Sequence, residues 1–366
     1  MATGLRELVT GPLPLVVDAF TPLTRTPWAG TYIGESLKDV VCPAAKGQLI
    51  GESWELSCDP AFPSRIKDDR RELSELIAAF PDEMLSPAQN ARCDGRMEMT
   101  IKLLNAARPL SFQVHPADGD PSLAVGECGK PESWLILHRD PGAGVYIGFG
   151  RSMSRASLGR HCEQGTLSVD DLQFVPVEPG EYFEIAPGVP HAIGAGVTLL
   201  EPQRILPGTS GKTYRLWDWD RKYNAAGQID DSGLARQLDV AAAIALVDPE
   251  RQVGAAFAAT ASRLAVSVSL GQRGVMKVFP QNANYRVFML ETSDESRLNL
   301  CLHTGYGAVT VLSGTLTLRG STGLDVLAAK GQTVFLPFAS SPLMIRSSGA
   351  SRWVLVVPAA TDLDLT

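Results

Sequence analysis

Residues 177–196 read "VEPGEYFEIAPGVPHAIGAG": a glycine turn, a short strand, a proline-punctuated turn and a second strand, in that order. The same order returns at 327–345, "LAAKGQTVFLPFASSPLMI", so the chain uses one β-building style at least twice. The later copy has no histidine where the earlier one has His191; if the two are repeats, the later one is expected to have lost any metal. Around them, "SWLILH" (133–138), "GVYIGF" (144–149), "GVTLLEP" (196–202) and "GYGAVTVLSGTLTLRG" (305–320) lie between turn residues, at the spacing of an antiparallel sandwich or barrel. The class is therefore mainly β, with a second small barrel at the C-terminus. Helical periodicity is confined to 70–80, to about 153–172, and to 234–247 with its continuation through 262, which reads as insertions and a connector.

The composition narrows the function. The chain has 366 residues, enough for two domains or for one domain with an insertion. It is 45% hydrophobic, yet no stretch approaches the ~20 apolar residues of a spanning helix. The first 17 residues lack a long apolar core followed by a small-residue cleavage site, so no signal peptide is read and a cytoplasmic location is expected. Six cysteines are scattered without CxxC spacing, which argues for free thiols rather than a zinc ribbon or a disulfide framework. A net charge of −7 with dispersed basic residues gives no footprint for nucleic acid or anionic membrane.

Two of the five histidines sit in unusual company. In "SFQVHPADGD" (111–120), Gln113 and His115 are two apart on a strand and share a face, while Phe112 and Val114 pack the other way. The next strand opens with Glu132, on one face with Trp134 and Ile136; Ser133, Leu135 and Leu137 take the other. A buried glutamate at the head of an apolar strand needs a partner. His191 follows the rigid "APGVP" turn. Two imidazoles, a carboxylate and an amide oxygen make a divalent-metal set with positions left for water or substrate. Taken singly, each is more often a hydrogen-bonded core or rim residue than a ligand.

"PLSFQVHPADGD", "GKPESWLIL", "APGVPHAIGAG" and "TYRLWDWDR", in that order, resemble the type I mannose-6-phosphate isomerases, zinc enzymes of the cupin superfamily. "TPWAG" (26–30) and "IGESWELS" (50–57) are similar to that family's N-terminal signatures. The resemblance covers about residues 20–225 well and the C-terminal part loosely. It implies two cupin-type jelly-roll barrels: a catalytic unit over 1–240 with a small helical insertion at about 150–175, a helical connector over 241–275, and a degenerate cupin over 276–366. It implies one divalent metal, zinc by expectation, on Gln113, His115, Glu132 and His191. It further implies Arg215 as a catalytic arginine stabilising an enediolate, Glu201 as the candidate base, and Lys102, Lys130 and Ser111 as binders of substrate phosphate or hydroxyls.

The activity so implied interconverts mannose 6-phosphate and fructose 6-phosphate through an enediol, with a sugar phosphate as the small-molecule partner and a monomer or homodimer as the working form. Against it stand plainer roles: Lys102 and Lys130 as solvated surface groups, Arg215 paired with Asp218 or Asp220, Glu201 capping a turn, and Glu52 and Trp54 as packing residues. The segment "PQRILPGTSGKTY" (202–214) is longer and more basic than the resemblance leads one to expect, and it adds Arg204 and Lys212 near the site. It leaves open an isomerase of another aldose phosphate. A non-catalytic sugar-phosphate-binding cupin is the remaining alternative; a cupin dioxygenase would want a third histidine in place of Gln113.

Overall fold

The computed structural model describes residues 8–366. Residues 1–7, part of the stretch read for a signal peptide, lie outside the described residues. Among these, no helix is long and apolar enough to cross a membrane. The six cysteines are free.

Strands dominate, as the turn spacing requires. A six-stranded sheet runs in the order Ser262–Arg263, Tyr182–Ile185, Glu132–Arg139, Val197–Arg204, Met99–Ala106 and Glu52–Leu56. Facing it is a five-stranded sheet ordered Tyr214–Trp217, Phe112–Val114, His191–Ile193, Gly144–Phe149 and Leu172–Pro176. Alternation assigns the faces. Trp134, Ile136, Leu104 and Leu199 of the first sheet join Val145, Ile147 and Ile193 of the second in one core. Leu135, Leu137, Ile101, Leu103 and Leu200 point the other way, into a core shared with Tyr285, Val287, Ala308 and Val354 of the C-terminal sheet. The middle sheet is thus covered on both sides, which is why Met99–Ala106 is buried at every position. A ten-stranded C-terminal sheet encloses its own core of Leu290, Val309, Leu316, Leu336, Ile345 and Trp353. The arrangement is consistent with a cupin-type fold.

Helices appear at Leu73–Ala79 and Arg155–Gln164, within two of the expected stretches. Two more, Pro81–Leu85 and Pro87–Cys93, were not anticipated; each starts with proline at its first position, where the missing N–H costs nothing.

The expected connector needs correction. Leu234–Ala235 is a strand paired with Lys222–Tyr223 rather than helix. The helix that follows is only Val240–Leu246. Pro249 interrupts the chain, and Gly254, at φ +76, opens the short Gly254–Ala258 turn of helix. Beyond Ala261 the only helical turn within the expected connector is the three-residue Gly271–Arg273, and residues 262–275 otherwise hold the strands Ser262–Arg263, Val266–Ser269 and the start of Gly274–Val278. The alternating "VSVS" suits an edge strand, not a helix. The strand Leu13–Pro14 also crosses the expected division, pairing with Thr333–Leu336 near the other end of the chain.

Candidate functional site

Register aligns the site before any side chain is considered. In the five-stranded sheet Gln113 lies directly between His191 on one neighbour and Arg215 on the other. In the six-stranded sheet Gln203 is opposite Glu132, Glu201 is opposite Lys102, and Lys102 is opposite Trp54. Deeper in, the facing surfaces are apolar. Toward this end they turn polar, and the sheets splay around a cavity of about 650 Å³ lined by Lys102, Ser111, Gln113, Lys130, Glu132, His191, Glu201 and Arg215.

Three groups converge at its wall. His115 Nε2 lies 3.3 Å from Glu132 Oε2, and His191 Nε2 lies 3.4 Å from Oε1 of the same carboxylate. All three residues are buried, and their ligand atoms lie within 4.8 Å of one another. The other ring nitrogens are engaged: His115 Nδ1 faces the Lys212 carbonyl at 3.1 Å, and His191 Nδ1 faces the Val189 carbonyl at 2.8 Å. A carbonyl only accepts, so each Nδ1 carries the proton and each Nε2 presents a lone pair. Neither Nε2 has a hydrogen-bond partner. Lone pairs of two imidazoles therefore face a carboxylate with no proton between them, an arrangement that repels unless a cation sits among them. These residues fit a divalent metal. Gln113 adds an amide oxygen, fixed by a 3.1 Å hydrogen bond from Ser111 Oγ.

The electrostatics keep the ligands in the needed charge states. Burial, helped by nearby Lys130, pushes the His115 imidazole down to about 3, so it is neutral. Burial opposes the Glu132 charge, but Lys130, 3.2 Å away, together with His115 and His191 outweighs it and holds the carboxyl well below its usual range. Burial alone would discharge Lys130, yet Glu132 and then Glu201 raise it. Glu201 moves in the opposite direction from Glu132: burial first, then the Glu132 charge, lifts its carboxyl well above the ordinary range. Trp134 Nε1 donates to Glu201 Oε1 at 3.2 Å and Gln203 Nε2 to Oε2 at 2.6 Å, which fixes the plane of the carboxylate.

Lys102 is buried, its ammonium 3.9 Å from the centre of the Trp54 ring and 4.0 Å from Glu52. Glu52 and Trp54, read as packing residues, line the cavity. Arg215 does not pair with Asp218 or Asp220: Asp218 is taken by Arg221 and Tyr223, and Asp220 accepts from the Trp217 indole. Arg215 Nε is buried without a partner. Glu201 is within a strand, not at a turn. Arg204 and Lys212, the basic residues of the long segment, do not line the cavity; Arg204 is tied to Asp118 and Asn284, and Lys212 to Glu127. Small and apolar residues of 205–211 line it instead.

Sequence reasoning missed Gln203, whose amide also donates to Glu132 Oε2 at 3.1 Å, and Arg25, Arg96 and Arg236, which line the cavity from distant segments. Gln203 lies two residues after Glu201 on the same strand face, a signal that was available. Nothing local marks the arginines.

Residues 28–131 match the family described as phosphomannose isomerase type I, catalytic domain. A mannose-6-phosphate isomerase of Streptococcus mutans is 32% identical over 196 residues, 53% of this chain and 56% of that protein. One of Bacillus subtilis is 35% identical over 146 residues, 40% of this chain and 44% of that protein. The chain thus spans about half the length of these relatives. The fold is that of a B. subtilis mannose 6-phosphate isomerase structure, at TM-score 0.75 and 22% identity over 94% of this chain and 99% of that one. A mutant phosphomannose isomerase from Salmonella typhimurium superposes at TM-score 0.69, with 17% identity over 95% and 100% of the two chains. The resemblance to type I phosphomannose isomerases read from the motifs is borne out.

Proposed function

We propose that this chain, whose residues 28–131 match the type I phosphomannose isomerase catalytic domain, is a metal-dependent aldose–ketose isomerase interconverting mannose 6-phosphate and fructose 6-phosphate. The observation that carries the reading is the pair of buried, unpartnered Nε2 atoms facing Glu132. His115, Glu132, His191 and the Gln113 amide oxygen would hold the ion, with zinc the expected metal for nitrogen and oxygen ligands. Once bound, a divalent cation with a single carboxylate ligand keeps net positive charge and polarises the sugar oxygens at C1 and C2.

The reaction moves a hydrogen from C2 of the aldose to C1 and a hydroxyl proton from O2 to O1, so it needs no oxidant. Glu201 is the proposed base. Its raised carboxyl pKa suits a group that takes a proton from one carbon and holds it until it is returned to the other. The Trp134 and Gln203 bonds keep it from rotating between the two transfers. Arg215, with Nε unpaired at the cavity wall, would face the negative charge of the enediolate. Lys130 and Lys102, both beside carboxylates, balance the charge of the wall, and Lys102 is placed to meet a sugar hydroxyl. Ser111 acts through Gln113 in this reading, by fixing the amide.

The catalytic unit is taken as residues up to about 240, working in the cytoplasm as a monomer or homodimer. The test is a coupled assay on purified protein with mannose 6-phosphate, chelator, and zinc added back. Turnover that chelator abolishes and zinc restores supports the reading; turnover indifferent to chelator, or none with the metal bound, overturns it.

A further inference from the structure

We propose that Arg236, with Arg25 beside it, forms the part of the cavity that holds the anionic phosphate end of the substrate, and that this pair, rather than Lys102, Lys130 or Ser111, sets the preference for a phosphorylated sugar. The inference rests on the functional reading above.

Four arginines line the cavity: Arg25, Arg96, Arg215 and Arg236. Among the described residues, none of the four forms an ion pair, whereas Arg204 and Lys212 nearby are both spent on carboxylates. A guanidinium kept unpaired beside others of like charge is costly unless something anionic joins them, and its planar fork of donors matches phosphate. Arg215 and Arg236 are half-buried, whereas Arg25 and Arg96 are exposed at the cavity rim. The Nη2 of Arg236 donates to the Arg25 backbone carbonyl at 2.6 Å, and its guanidinium lies 5.5 Å from the centre of the Tyr223 ring, so the side chain is anchored while its other donors remain free. Asp218, the acid whose charge acts on Arg236, is already used by Arg221 and Tyr223. Arg25 is held in turn over Trp54 and Phe62, at 5.5 and 5.1 Å. Burial, opposed by Asp218 and aided by Arg215, holds the Arg236 guanidinium below its ordinary value.

Placement fits the division of labour. Gln113 adjoins Arg215 across the sheet, and Asp239, three residues after Arg236, exchanges hydrogen bonds with the Arg215 backbone, which brings the Arg236 segment alongside Arg215. A sugar with its first two carbons at the metal wall would send its far end toward Arg236. The three residues named from the motifs already have partners, Lys130 in Glu132, Ser111 in Gln113, and Lys102 in Trp54 and Glu52, which leaves Lys102 to a hydroxyl rather than to the phosphate.

The experiment compares the wild type with R236A and R236K on mannose 6-phosphate and on unphosphorylated mannose, and measures inorganic phosphate binding by calorimetry. R236A should raise KM for the phosphorylated sugar and weaken phosphate binding by about ten- to hundredfold, the range expected for a charged hydrogen bond, with metal content and melting temperature unchanged. R236K should recover part of both, and turnover of mannose should fall far less than that of mannose 6-phosphate. Equal losses on the two sugars, or phosphate binding that does not move in R236A, overturn the proposal. If the wild type does not isomerise mannose 6-phosphate, the functional reading fails, while the phosphate titration still decides the role of Arg236.

Discussion

At the scale of single residues, the site is defined by what lacks a partner. His115 and His191 spend their Nδ1 protons on backbone carbonyls, and Arg215 leaves Nε free in a buried position, where the usual rule is full satisfaction. Two predictions follow from the different roles. His191→Ala should lose stoichiometric metal, since one of three converging donors is gone; elemental analysis of the dialysed protein reading one metal per chain would refute the ligand assignment. Arg215→Ala should keep its metal and lose about 10²–10³ in kcat, the usual cost of removing one preorganised donor from a developing oxyanion. An unchanged kcat would remove Arg215 from the chemistry.

At the scale of elements, the ligands depend on backbone segments that touch. Gly129 joins the short strand Glu127–Cys128 to the strand that begins with Glu132, and it presses against the 116–118 segment that follows His115. A Cβ there would lie 2.7 Å from Asp118 N and 2.9 Å from both Ala117 C and Pro116 O, all backbone atoms that cannot swing aside. Gly129→Ala should therefore cost about 1–3 kcal/mol, as overpacking does, and weaken metal binding as His115 is displaced. Thermal denaturation and a chelator competition would measure the two, and wild-type values in both would show that the segment can yield. The 202–214 segment works similarly. Arg204 and Lys212 clasp Asp118 and Glu127, which sets the Lys212 carbonyl under His115. Its basic character thus serves the metal site from behind.

At the scale of the whole molecule, the two ends of the chain are tied through one buried ion pair. Lys38, with 0% side-chain exposure, lies 2.8 Å from Glu55 and also donates to the Gly331 carbonyl. Glu55 accepts further bonds from Ser53 and Thr333. The network joins the N-terminal segment, the cavity strand Glu52–Leu56 and the C-terminal sheet. Lys38→Ala strands a buried carboxylate and should destabilise by about 3–5 kcal/mol, whereas replacing both partners by Met and Leu should cost much less. Denaturant titration decides; equal stability of Lys38→Ala and wild type would show that the tie carries no weight.

The mainly β class was legible in the sequence, as were His115, Glu132 and His191 as converging groups and the strand faces around them. Strand alternation is a property of the backbone, so Gln113, Glu132, Trp134 and Ile136 could be oriented without knowing what they met. The ordered motifs singled out Arg215 and Glu201, and both line the cavity. Which charges stay free is set by how the sheets pack. Lys102 and Lys130 are spoken for, Arg204 and Lys212 are clasps, and Arg236 emerges from a segment whose alanine-rich pattern reads as helix but which the strand Lys222–Tyr223 draws into a pair. Local periodicity tells a side chain's direction over a few residues. The carboxylate that neutralises it, or fails to, arrives from tens to hundreds of residues away, and that is set by how the sheets pack.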